Sequence, residues 1–142
     1  METNELHRGR LIDHMQLVVS DLEKSKAFYK AIFAALDVPL GGEGEDYFYC
    51  DELFISSLQS LAASGALTGR AHIAFQAKDE ATVKAFYKAA IAAGAKSNGE
   101  PGARNYHPGY YAAFVLDPDG NNIECVFHGA AKRSAPSVKI TF

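Results

Sequence analysis

Cysteine is scarce in this chain. Its two cysteines, Cys50 and Cys125, lie far apart and neither has a CxxC partner, so a disulfide framework is excluded and the fold must rest on its core. Long apolar runs are missing as well. The longest, Tyr110 to Leu116, has seven residues, against the roughly 20 that a helix needs to cross a bilayer. Nor is there an excess of positive charge. Fourteen lysines and arginines are scattered among seventeen acids, for a net charge of -3, which leaves no basic footprint for a nucleic acid. The opening residues show no charged-then-apolar leader pattern, so the expectation is a reduced, cytoplasmic protein. A chain of 142 residues is then read as one compact domain, able to bury about two thirds of its unfolded surface.

What the chain does contain is a repeat. KAFYKA occurs at Lys26–Ala31 and again at Lys84–Ala89, an offset of 58. At the same offset His14 falls on His72, Asp21 on Asp79, and Ala34 and Ala35 on Ala92 and Ala93. A register that superposes histidines outside the helix points to duplication of one supersecondary unit. Each copy opens with alternating apolar residues, Leu11 to Val19 and Ala71 to Ala77, which predicts a strand. In both, the histidine lies on the partly polar face. A helix follows in each. The first has capping-box spacing at Ser20 and Glu23 and a stripe of Phe28, Tyr29, Ile32 and Leu36; the second has Asp79 as cap, a stripe of Val83, Phe86, Tyr87 and Ala90, and Gly94 as stop signal. KAFYKA is therefore helical scaffold.

Short strands are expected next: Asp46 to Cys50 and Leu53 to Gln59 in the first copy, Gly109 to Leu116 and Asn122 to His128 in the second. The latter pair flanks the turn Asp117-Pro118-Asp119-Gly120-Asn121. Gly41 to Glu45 reads as a loop. The expected organisation is a first module at 11–59, a linker at 60–69 and a second module at 70–128, with a loose or partner-contacting segment at 1–10 and a tail at 129–142.

Along NNIECVFH, Ile123, Cys125 and Phe127 form one apolar face, leaving Glu124 mid-strand on the other. A carboxylate held there needs a partner, a metal or a proton. Together, His14, His72 and Glu124 have the composition of a 2-His-1-carboxylate centre, suited to one divalent ion: Fe, Mn, Ni, Co or Zn. Such a centre leaves positions open for a small substrate with two oxygens.

The features IDHMQLVVSDLEKSKAFY, AHIAF and FVLDPDGNNIE make the chain resemble the vicinal oxygen chelate superfamily, which holds glyoxalases, bleomycin-resistance proteins and extradiol dioxygenases, over about Leu11 to His128. The resemblance implies an α+β fold of two tandem βαβββ modules forming an incomplete curved β-barrel with helices outside, and it places His14, His72 and Glu124 at ligand positions. It implies a metal-dependent, glyoxalase-like lyase or isomerase. The alternatives are a bleomycin-resistance-type binding protein without catalysis, or an extradiol-type dioxygenase or thiol transferase.

Departures from the family pattern are informative. Where glyoxalase I-like members carry a fourth ligand, LFISSLQS offers Ser56 or Ser57 and no carboxylate. Against the dioxygenase signature His107 matches, but Phe114 stands in the tyrosine position. ARNYHPGYY, Ala103 to Tyr111, is the expected pocket wall. His107 and Tyr111 are the candidate proton-transfer groups, with Gln16, Ser56, Tyr106, Tyr110 and His128 lining the substrate pocket. A homodimer is expected from the open sheet edges, with a small-molecule substrate and neither nucleic acid nor membrane as partner.

Overall fold

The computed structural model describes residues 5–142 and contains ten strands and two helices among them. The first module is β2 (Met15–Val18), α1 (Leu22–Ala35), β3 (Gly42–Glu43), β4 (Tyr47–Cys50) and β5 (Leu53–Ser56). The second is β6 (His72–Gln76), α2 (Glu80–Ala92), β7 (Lys96–Ala103), β8 (Tyr111–Leu116) and β9 (Asn122–Phe127). Each is therefore a βαβββ unit. The sheet orders are the same, β2-β5-β4-β3 and β6-β9-β8-β7, with a parallel first pair and antiparallel pairs after it. Both sheets are open and no closed barrel forms among the described residues.

The helices form where the apolar stripe lies. Asp21 caps α1 by accepting from the Lys24 amide at 3.1 Å, and Asp79 caps α2 by accepting from Thr82 at 2.7 Å. The cap of α1 is thus the aspartate after Ser20, which makes both caps equivalent in the repeat. Gly94, just past α2, has the positive φ of a helix stop. Phe28, Tyr29, Ile32 and Phe33 of α1 and Val83, Phe86 and Ala90 of α2 are buried. The helices pack against each other, so a single core runs through both modules. Phe33 of α1 meets Phe75 of β6 edge-on at 5.5 Å.

Four strands carry no alternating signal in sequence. β7 reads KSNGEPGA, and its pairing with β8 is broken twice by register shifts; an edge strand tolerates such bulges and a proline. β3, two residues long, falls in the expected loop at Gly41 to Glu45 and also lies at a sheet edge. The terminal segments, expected to be loose, pair with one another: β1 (Glu5–Arg8) runs antiparallel to β10 (Val138–Thr141). Met1 to Asn4 lie outside the described residues.

Candidate functional site

Period two puts His72, Ala74 and Gln76 on the face of β6 away from the core, and the parallel register sets Ala74 opposite Glu124. On the far side of β9, Phe114 lies opposite Glu124. Glu124 is only 3% exposed, and two neighbours compensate its burial. His72 Nε2 lies 3.0 Å from Oε1, and the Tyr110 hydroxyl donates to Oε2. The His72 ring stacks on Phe114, and the Arg104 guanidinium lies over the same Phe114 ring in a cation–π contact of 5.4 Å.

The protons on His72 are informative. Nδ1 faces the carbonyl oxygen of Asn122 at 3.1 Å, an acceptor that requires an N–H. Nε2 faces a carboxylate, which requires either a second N–H or a cation in its place. His72 and Glu124 are two residues that would hold a divalent ion, whose charge would take the place of that proton, and the Nδ1 contact would then orient the imidazole. His14 repeats the arrangement: its Nδ1 lies 2.7 Å from Asp13 Oδ1, and that bond holds the Asp13 carboxyl below the ordinary carboxylate range.

The three expected ligands are not gathered in one chain. His72 and Glu124 meet, but His14 stands on module 1 against the edge of Phe54, 5.6 Å between centroids. Among the described residues no cluster of three His, Cys, Asp or Glu side chains suits a metal. The strand register also relocates the position expected at Ser56 or Ser57. Gln16 pairs with Phe54 as Ala74 pairs with Glu124, and Gln16 is the repeat counterpart of Ala74. Phe54 is therefore the spatial counterpart of Glu124, and module 1 offers neither carboxylate nor hydroxyl there. Ser56, two residues on and buried, accepts from Gln16 Nε2 at 2.6 Å, so these two expected pocket residues are bonded to each other on the same side of the module 1 sheet as Phe54.

The second expected cluster does assemble. His107 Nε2 and His128 Nδ1 are 2.9 Å apart with their rings stacked. Tyr110 packs edge-on against both, and Tyr106 edge-on against Tyr110. Tyr111 is placed differently. It has the opposite strand phase from Phe114 and packs on the core cluster, so it is Tyr110 whose phenol reaches Glu124. Burial, followed by the bond to Glu124, pushes the Tyr110 phenol up to about 12, which keeps it a donor at neutral pH.

Comparison with known proteins gives a consistent picture. The family model for the glyoxalase/bleomycin resistance protein/dioxygenase superfamily matches residues 11–125. Similar solved structures include a glyoxalase/bleomycin resistance protein from Albidiferax ferrireducens T118, 28% identical, covering 82% of this chain and 98% of that one with a TM-score of 0.68. A glyoxalase-related enzyme from Fulvimarina pelagi is 21% identical over 89% of this chain and 99% of its own, TM-score 0.66. A lactoylglutathione lyase from Agrobacterium tumefaciens is 19% identical over 82% and 92%, TM-score 0.61. No curated protein matches the chain significantly.

Proposed function

The chain belongs to the glyoxalase/bleomycin resistance protein/dioxygenase superfamily, and from that premise we propose that it is a metal-dependent, glyoxalase-like enzyme of lyase or isomerase type. Its substrate is a small molecule with two adjacent oxygens. The observation that carries this reading is the contact of His72 Nε2 with the buried Glu124. A binding protein without chemistry has no need of a buried carboxylate held between an imidazole nitrogen and a phenol.

His72 and Glu124 supply two ligands of one divalent ion, and His14 of a second copy supplies the third. The repeat supports this completion. His14 and His72 hold equivalent positions on exposed faces, each with Nδ1 already engaged, so a twofold dimer that sets module 1 of one copy against module 2 of the other brings the missing imidazole to each pair. When bound, the metal contributes Lewis-acid polarisation of a substrate carbonyl.

The remaining roles belong to the chain's own side chains. Tyr110 holds Glu124 Oε2 and so orients the carboxylate. His107 and His128 share one proton between Nε2 and Nδ1, and such a pair accepts a proton on one ring while releasing it from the other, as general acid–base transfer next to a polarised carbonyl requires. Gln16 and Ser56, bonded to each other, and Tyr106 supply polar contacts for the substrate.

Metal analysis of untagged protein tests this. Near-stoichiometric metal that falls at least tenfold in His72→Ala is the expected result, and absence of metal from both proteins sinks the reading in favour of a binding protein. The loaded protein is then assayed against a methylglyoxal–glutathione adduct, a catechol and a thiol acceptor, with turnover expected on the first.

A further inference from the structure

A cavity of about 660 Å³ lies between the modules, and none of His14, His72, Glu124, Tyr110, His107 or His128 lines it. The apolar part of its wall comes from Phe33 and Leu36 at the end of α1, Leu53 of β5, and Ile73 and Phe75 of β6, and Ala74 and Gln76 border it as well. Leu53, Ile73 and Phe75 have the opposite phase from His72 and Glu124. The segment from Lys132 to Val138 runs along the cavity before joining β10. The volume is that of an ordinary small-molecule site, and the lining combines an apolar wall with a rim rich in charged and polar groups.

The charge around it is unbalanced. Arg8, Arg10, Lys132 and Arg133 line the cavity against two carboxylates, Asp51 and Glu52. Arg8 is the critical group because it is only 7% exposed. Its Nη1 donates to the carbonyl oxygens of Asp51 at 2.7 Å and His7 at 3.2 Å. Its Nε has no hydrogen-bond acceptor; the carboxylate oxygen of Asp13 stands off at 3.5 Å and is already bonded to His14. The guanidinium charge is met in part by Asp13 and by the Phe54 ring, whose centroid lies 6.0 Å away, and its Nε–H is left to be satisfied by a further acceptor.

We propose that this cavity is a second ligand site, separate from the His72–Glu124 pair, that takes an amphipathic carboxylate: an acyl or aryl chain fills the space between α1 and β6 while its carboxylate pairs with Arg8 and the rim cations. A planar carboxylate matches the guanidinium fork, and the apolar wall selects a ligand with a hydrocarbon body over a bare inorganic anion.

The probe is decanoate, titrated calorimetrically into the full-length protein, with decan-1-ol and inorganic phosphate as controls for the chain and the charge. Decanoate is expected to bind at least tenfold tighter than decanol, and excess phosphate should leave it in place. Arg8→Gln should weaken decanoate tenfold or more. Because Arg8 also bonds the Asp51 carbonyl, Val38→Trp, which fills the cavity while leaving the arginine in place, gives a second readout; it too should weaken decanoate tenfold, and the metal content should stay at the wild-type level. Decanoate binding no tighter than decanol, displacement by phosphate, or a folded variant of either kind that binds as the wild type does overturns the proposal.

Discussion

Tyr110 shows how much a single residue's strand phase decides. The cluster ARNYHPGYY marks a pocket wall in the sequence, but its adjacent tyrosines cannot be ranked there; one step along the chain turns Tyr111 into the core and Tyr110 onto Glu124. The expected consequence is spectroscopic. An ultraviolet pH titration of wild type minus Tyr110→Phe should show one phenol with a midpoint near 12, and Glu124→Gln should bring it down by removing the negative charge that favours the neutral phenol. A stability effect follows the same sign. Burial raises Tyr29, Tyr110, Cys50 and Cys125, so above pH 9 the unfolded chain releases these protons first. Folding stability therefore falls as pH rises from about 9 towards 12, and urea midpoints at pH 8.5 and 11 should show the loss. A flat profile would mean that these groups are solvated in the folded protein.

Among the elements, the turn between β8 and β9 joins the modules. The Asp117 carboxylate accepts from the amides of Asp119 and Asn121, from Asn121 Nδ2, and from the Tyr29 hydroxyl of α1 at 2.6 Å. Gly120 takes the positive φ that the turn needs. The tyrosine of the first KAFYKA thus does more than fill the core: it fastens the first module's helix to the second module's hairpin. Asp117→Ala strands several donors and should cost on the order of 3 kcal/mol or more, whereas Tyr29→Phe removes one bond to a charged group and should cost about 1.5–3 kcal/mol. Denaturant unfolding checks the order; a larger loss in Tyr29→Phe would place the strength in the hydroxyl rather than in the turn. The hairpin and both helices are legible in sequence because their caps, turn residues and apolar periods are local. β7 and the pairing of β1 with β10 are not, since a bulged edge strand and a contact between opposite ends of the chain leave no periodic trace.

For the whole molecule, the incomplete ligand set makes a sharp prediction. Protein with His14→Ala and protein with His72→Ala should each lose metal at every site. Co-expressed, they should form mixed dimers in which one site draws His14 from one copy and His72 with Glu124 from the other, recovering metal at half of the mixed-dimer sites. No recovery in dimers shown by mass to be mixed would mean that the site does not cross the twofold axis. Such a site could be read only in part from the chain. Periodicity, caps and the 58-residue register were sufficient to settle the two helices, the β8–β9 hairpin, the duplication of a strand–helix unit and the polar strand phase of His72 and Glu124, because those properties depend on neighbours a few residues away. The strands that follow each helix and complete each βαβββ module, β3 and β7, and the start of β2 one residue after His14 came from the structure. The counterpart of Glu124 at Phe54, the choice of Tyr110 over Tyr111, and the separation of His14 from its expected partners came from strand register and module packing. These depend on contacts between residues tens of positions apart, where the pattern along the chain carries no record of distance.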